Sequence, residues 1–405
     1  MKNLVLWLLW GILLLAGCMA NGNGELSGVL DVPEATVTER PTEIPEEIVA
    51  PTNMAVPAVS TAPINTVVPT SSPVPTNTPV PTPDVLDVTL CFAGDFSLAD
   101  DVGTTKNWIR RGQDISQCID PQLIEMMKAA DLMCLNNEFV YTTRGEAVEG
   151  KLYTYRGNPE RASVLLELGV DLANLANNHA RDYGEISLLD TLDTLDKVGV
   201  DYVGAGRNFE EASKPYYFEV DGITIAIVSA SRAGKLVETP QATETSAGVM
   251  RCNTKKPFIN EIKEADANAD VVIAYVHWGT EYSTVLQDIQ LTSGKLYLDA
   301  GADVIIGAHT HCIQGIEFYD DKPIFYSLGN FWFNSKELDT LLLKLHITGD
   351  RENPEIQAEV VPALQKKYYT SMVTEPEELA AWYEYMESIS VNAEIDENGI
   401  VREKQ

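Results

Sequence analysis

Asp303-Val304-Ile305-Ile306-Gly307-Ala308-His309-Thr310-His311 is a short apolar run that breaks at a glycine and ends in two histidines one residue apart. Asp303–Ile306 reads as a buried strand. Side chains placed just beyond the carboxyl end of a strand are where α/β sheets build their sites. Alternate strand residues point the same way, so both rings are expected to face one metal centre. The same pattern recurs along the chain. Val271–Val276 ends at His277-Trp278-Gly279, and Asp171–Leu175 precedes Ala176-Asn177-Asn178-His179. Val88–Ala93 runs into Gly94-Asp95, and Leu132–Leu135 into Asn136-Asn137-Glu138. Five loops therefore offer carboxylate or imidazole donors at one face of a sheet. That donor set suits Zn, Mn or Fe better than Ca or Mg. The fifth histidine, His346, falls in an amphipathic strand and reads as structural.

The other segments complete a layered pattern. Asp120-Pro121 opens a helix to about Ala130 with an N-cap and a proline at its first position. Arg161–Leu168 and Gln287–Ala300 read as helices. A longer helix after Gly184 carries Ile186, Leu189, Leu192, Leu195 and Val198 on one stripe. Asp221-Gly222 joins Tyr216–Val220 to Ile223–Ser229 as a hairpin, and Asp320-Asp321 joins Ile313–Tyr319 to Pro323–Tyr326. Two more strands follow Leu338, then a helix near Pro376–Ser388 and a polar tail. Strands alternating with helices, with hairpins in the second half, predict an α/β sandwich of mixed sheets. There is no Gly-x-Ser-x-Gly elbow and no phosphate-cradling glycine loop. The cysteines after residue 87 have no metal-type spacing, and Cys91 and Cys134 fall in apolar strands.

The first 86 residues are of another kind. Met1-Lys2-Asn3 followed by apolar Leu4–Ala16 is an export signal, too short for a comfortable span. Leu15-Ala16-Gly17-Cys18 looks like a lipobox, which predicts cleavage before Cys18 and acylation of that residue. Twelve of the 21 prolines lie between Pro33 and Pro83, so residues 19–86 are expected to be a Pro/Thr-rich disordered linker. The whole chain of 405 residues carries a net charge of −31. Residues 1–86 hold only eight of its acids and two of its bases, leaving −25 for residues 87–405. That charge argues against a nucleic-acid partner, which needs basic patches.

The runs Ala93-Gly94-Asp95, Leu135-Asn136-Asn137-Glu138, Ala176–Gly184, His277–Tyr282, Gly301-Ala302-Asp303 and Tyr326–Phe331 together resemble the bacterial capsule-synthesis CapA family, over residues 88–335. That family is associated with poly-γ-glutamate and looks like a branch of the calcineurin-like metallophosphatases. The resemblance implies a double β-sandwich flanked by helices over residues 87–335, with residues 336–405 completing the domain. It implies one or two divalent cations (Mn, Zn or Fe). Asp95 and His311 would hold the first, His277, His309 and Asn178 the second, and Glu138 would stand where an aspartate bridges them. His179, oriented by Asp182, would assist the leaving group, and Glu281 is a further acid near the site. Two positions depart from the superfamily pattern: Ser97 stands where histidine is usual, and Glu138 replaces aspartate. The implied protein is lipid-anchored at Cys18 on the outer face of the cytoplasmic membrane, at the bacterial cell surface. There it would work with a membrane polymer synthase or export complex on an anionic polymer or phosphoester. Its reaction would be hydrolysis of a phosphoester or related bond by metal-activated water. The alternative is a non-catalytic accessory protein of polymer assembly and export.

Overall fold

The strand Val88–Phe96 is buried along almost its whole length, which requires cover on both faces and explains why its sequence reads as a continuous apolar run. A computed structural model describes residues 85–405. The export signal, Cys18 and the spacer up to residue 84 lie outside the described residues. Leu86, assigned above to the spacer, is already buried in the core and donates its N–H to the Gly349 carbonyl at 3.0 Å.

Two mixed sheets face each other. In the larger, ten-stranded sheet, Val88–Phe96 pairs in parallel with Leu132–Asn137, which pairs in parallel with Leu172–Asn174. On its other side Val88–Phe96 runs antiparallel to Leu338–Asp350, and that strand pairs with Asn353–Lys366. The six-stranded sheet has Ile223–Ser231, Val271–His277 and Val304–Ala308 in parallel. Both hairpins form as expected, with Asp221, Gly222, Asp320 and Asp321 at positive φ.

Strand alternation then divides the core into layers. Leu90 and Phe92 join Ile225, Ile273 and Ile306 between the sheets. Cys91, Ala93 and Met133 face outward under helices contributing Leu123, Met127, Leu188 and Leu192. On the other outer face, Val228, Val272 and Ile305 pack on Phe258, Ile262 and Tyr297. The order helix, sheet, sheet, helix is the double sandwich that the resemblance implied.

Two readings need correction. The helix Glu185–Val198 buries Leu188, Leu192 and Leu195 with Ser187, Thr191 and Thr194, while Ile186, Leu189 and Val198 are only half-buried. Its polar face can be buried because it is hydrogen-bonded: the Thr191 hydroxyl accepts the Tyr141 N–H at 2.9 Å, and Ser187 donates to the Gly184 carbonyl at 2.7 Å. The stretch read as a polar tail carries two strands, Ala393–Ile395 and Ile400–Glu403. The second pairs with Asn353–Lys366, and Ala393, Ile395 and Val401 enter the inter-sheet core.

At the end of the first strand the two sheets come close. A Cβ on Gly94 would lie 1.9 Å from the Gly329 carbonyl oxygen, the atom that accepts the Asp95 N–H at 2.9 Å. Gly94→Ala is therefore expected to cost about 1–3 kcal/mol through overpacking. Urea denaturation of the two proteins measures the loss, and unchanged stability would contradict this packing.

Candidate metal centre

The parallel strands of both sheets deliver their carboxyl ends to the same end of the sandwich. Asp95 is the penultimate residue of the strand Val88–Phe96, and Glu138 follows Leu132–Asn137. His277 is the last residue of its strand, and His309 and His311 follow Val304–Ala308. All five side chains are buried. Their ligand atoms fall into two groups, each with atoms within 4.8 Å of one another: Glu138 with His277 and His309, and Asp95 with Glu138 and His311. Glu138 belongs to both.

The expected geometry of His-Thr-His is not the observed one. The strand stops at Ala308, and His309 and His311 both adopt positive φ, 94° and 57°. Outside a strand, alternation no longer applies. The rings lie 6.3 Å apart between centroids and serve different groups. Residues held in that region are strained and persist only when their surroundings fix them. Here Thr310 is tied to the Cys312 carbonyl at 2.7 Å and the Ser327 hydroxyl at 2.8 Å.

The electrostatics describe a cluster waiting for a cation. Burial pushes the Glu138 carboxyl well above the usual carboxylate range, and the Asp95 charge adds to this. Burial would raise Asp95 as well, but its hydrogen bonds from His311 (2.9 Å) and Asn136 (2.7 Å) carry it below its ordinary value. Burial, reinforced by neighbouring imidazoles, holds His277 well below its ordinary value and His309 down to about 3. Both rings are thus neutral and ligand-competent near neutral pH. His311 is also buried, yet the Asp95 carboxylate raises it. Two polar atoms in the cluster, Glu138 Oε1 and His309 Nδ1, are buried without any hydrogen-bond partner. Such atoms are costly unless something coordinates them. The donor set therefore fits a divalent cation.

Around the cluster, Asn178 Oδ1 lies 2.8 Å from His277 Nε2, beside the Glu138, His277 and His309 group. His179 Nδ1 is 2.7 Å from Asp182 Oδ2, and its Nε2 is 3.9 Å from Glu138 Oε1. Burial lowers the His179 pKa, with Asp182 opposing. Ser97 is buried, and its hydroxyl accepts the Ala99 N–H at 3.3 Å. Glu281 is exposed and joins neither group. His346 is bonded to Thr89 and Glu359, as a structural residue.

Several residues carry the site without having been singled out from sequence. Asn136 donates to Asp95 and to Glu138 Oε2 (3.2 Å), and accepts from Asn174 (2.8 Å) and Asn177 (3.2 Å). Asn330 Oδ1 lies 2.9 Å from His311 Nδ1. Lys151 is half-buried, ion-paired with Asp182 and bonded to the Asn178 carbonyl. Arg251 is buried with its guanidinium donating to the carbonyls of Arg232, Ala233, Gly234 and Thr239 and to Asn253, with no carboxylate among them. It braces the loop that carries Gly234, whose Cβ would lie 2.7 Å from that of Asn178, and Thr239, whose hydroxyl bonds the Asn178 carbonyl at 2.6 Å. Asn136 and Asn330 lie inside runs that the sequence made conspicuous. Lys151 and Arg251 have no local signal, because only the folded chain brings them to the site.

A carboxyl whose folded pKa is raised stabilises the fold only while protonated. That contribution is present below the ordinary carboxylate pKa and is lost as pH rises through the raised value. Near neutral pH the cation-free protein therefore bears the cost of Glu138. Glu138→Gln, which mimics the protonated acid, is expected to raise the Tm of cation-free protein and to abolish the rise caused by Mn²⁺. At one hundred times its Kd, Mn²⁺ adds about 2.7 kcal/mol to the wild type, a shift of a few degrees in a scanning fluorimetry experiment. Equal Mn²⁺ shifts in both proteins would contradict the site.

Comparison with known proteins identifies the family of the chain. The family described as "Bacterial capsule synthesis protein PGA_cap" matches residues 89–335. The PGA biosynthesis protein CapA of Bacillus subtilis is 33% identical over 287 residues, 69% of this chain and 71% of that one. The capsule biosynthesis protein CapA of Bacillus anthracis is 35% identical over 210 residues, 50% of each chain. Among solved structures, the NAD nucleotidase of Haemophilus influenzae is similar at 13% identity and a TM-score of 0.37, covering 76% of this chain and 57% of that one. On the span matched by the family and the identity to the Bacillus subtilis protein, this chain belongs to the PGA_cap family of bacterial capsule synthesis proteins.

Proposed function

We propose that the chain is a lipid-anchored protein of capsule or poly-γ-glutamate synthesis at the outer face of the cytoplasmic membrane, whose buried centre hydrolyses a phosphoester or related bond. The observation that carries this reading is the pair of ligand groups sharing Glu138, with His179 Nε2 directed at the same carboxylate from 3.9 Å. A divalent cation held there supplies Lewis-acid activation of water and neutralises developing charge. The protein's own residues do the rest. Asp182 accepts the His179 Nδ1 proton, and it is itself fixed by Lys151 and by the Tyr155 N–H at 2.6 Å. The ring is therefore locked in one tautomer, with Nε2 free to exchange a proton with a substrate oxygen. Asn136 holds Asp95 and Glu138 at a fixed separation, so the anionic ligands are pre-set.

Turnover of bis-p-nitrophenyl phosphate with added Mn²⁺ tests the chemistry. His179→Ala is expected to lower kcat by about 10²–10⁴, and His309→Ala to abolish turnover together with Mn²⁺ binding. No turnover in Mn²⁺-loaded wild type would sink the hydrolase reading. Ser97 supports a second reading, an accessory role in polymer assembly and export, because a hydroxyl stands where an imidazole is usual and the first group has one histidine, His311, beside its two carboxylates. Full rescue of polymer export in a deletion strain by an Asn178→Ala/His179→Ala protein would leave that role alone.

The anchor rests on Leu15-Ala16-Gly17-Cys18. No described helix is long and apolar enough to cross a membrane. Cys18→Ala is expected to eliminate incorporation of labelled palmitate and to release the protein from the membrane fraction. Retention of both label and membrane attachment would refute the assignment.

A further inference from the structure

His309 lines one hollow and His311 another, with the ligand cluster at their junction. The first, of about 390 Å³, is bordered by Leu152, Lys235 and Glu238. The second, of about 380 Å³, is bordered by Tyr155, Tyr282, Phe333 and Lys336. Tyr153, His179 and Glu281 line both. A third hollow, also about 380 Å³, shares Gly103 and Tyr368 with the second and is edged by Lys106 and Arg110. Shared lining residues therefore set the three side by side as a run across the surface. The ligand cluster lies between the first and second hollows, not at the end of the run. A blind pocket suits a terminal group, whereas a run that continues on both sides of the cluster suits a linear molecule.

The charge along this run departs from that of the rest of the molecule. Residues 87–405 carry 52 acids and 27 bases. The three hollows reverse that ratio: Lys235, Lys336, Lys106 and Arg110 border them against Glu238 and Glu281. Lys151 is not counted, since it is spent on Asp182. Lys235 is paired with Glu238 at 2.7 Å, and Lys106 is 4.0 Å from Asp101. Lys336 instead lies 3.0 Å above the Tyr282 ring, which leaves its charge for a ligand. Arg110 is exposed at the last turn of the helix Gly103–Arg110. Between these cations the floor is aromatic, with Tyr155 stacked on Tyr153 and set edge-on to Phe333 at 5.5 Å. Flat apolar faces alternating with cations match a chain whose apolar backbone segments alternate with anionic groups.

We infer that the run is a track for a linear polyanion bearing regularly spaced carboxylates, which lies across the ligand cluster instead of ending in it. The choice of polymer rests on the proposed role in poly-γ-glutamate synthesis, but the track requires binding alone and no turnover.

The test uses full-length protein in detergent micelles with Mn²⁺ and fluorescein-labelled γ-linked oligoglutamates of increasing length, followed by fluorescence anisotropy. Affinity is expected to rise with length and then level off once the three hollows are filled. Lys235→Ala, Lys336→Ala and Arg110→Ala should each weaken the longest oligomer roughly threefold, with the triple variant losing roughly thirtyfold. Lys256, exposed and outside all three hollows, provides the control, and Lys256→Ala should change nothing. Affinity independent of length, an equal loss in the Lys256→Ala protein, or equal binding of neutral dextran would overturn the track. Absence of hydrolysis together with length-dependent binding would remove the proposed activity and leave the track standing. Hydrolysis without length dependence would do the reverse.

Discussion

One carboxylate oxygen organises the molecule. Glu138 Oε1 is buried without a hydrogen bond, 3.5 Å from His277 Nε2, 3.9 Å from His179 Nε2 and 4.0 Å from His311 Nε2. Burying a second carboxylate, Asp95, beside it would be prohibitive for a site designed to stay as it is. His311 and Asn136 offset the cost at Asp95, but among the described residues no lysine or arginine is bonded to either carboxylate: Lys151 is committed to Asp182, and Arg251 to backbone carbonyls and Asn253. A fold that pays for two buried anions and two neutral imidazoles has kept a place for a cation.

The architecture exists to hold those groups still. The two sheets meet face to face, and the hydrogen bonds that cross between them cluster near the site. Ser229, from the smaller sheet, donates to Asn174 in the larger one, and Asn174 donates to Asn136. Tyr275 reaches from one sheet to the Ala93 carbonyl in the other at 3.3 Å. A chain of amides thus connects both sheets to Asp95 and Glu138. Each link is buried and satisfied, which is the condition under which polar networks add rigidity instead of cost.

What was legible in the sequence follows from how local each cause is. Asp95, Glu138, His277 and the His309 and His311 pair stand where a strand ends, so the change from apolar run to polar residue marks them without any tertiary knowledge. The assignment of the two histidines was not local in this way. Alternation along an extended strand predicted one shared centre, whereas left-handed backbone at both residues turns the rings to different groups. The helix Glu185–Val198 failed for a similar reason: its buried face is chosen by partners such as Tyr141, which lies fifty residues upstream of Thr191. Lys151 and Arg251 are isolated charges in sequence, and their burial depends on carbonyls and carboxylates contributed by distant loops.

Formal charge links one departure from the superfamily pattern, Ser97, to the surface around the centre. Ser97 removes one neutral ligand, so the first group is left with two carboxylates and a single imidazole. Asp95 and Glu138, with neutral His277 and His309, are balanced by one divalent cation. A second cation leaves two uncompensated positive charges in a buried, low-dielectric setting, where they are expensive unless an anion joins them. On this balance, filling both groups would be coupled to the arrival of an anionic ligand, each event stabilising the other. The acidic body repels such a ligand over roughly a Debye length, about 8 Å at physiological salt. Along the three hollows, Lys235, Lys336 and Arg110 set cations against that repulsion. On the proposed track those cations would give an anionic chain a local hold at the centre, against the repulsion of the acidic body around it.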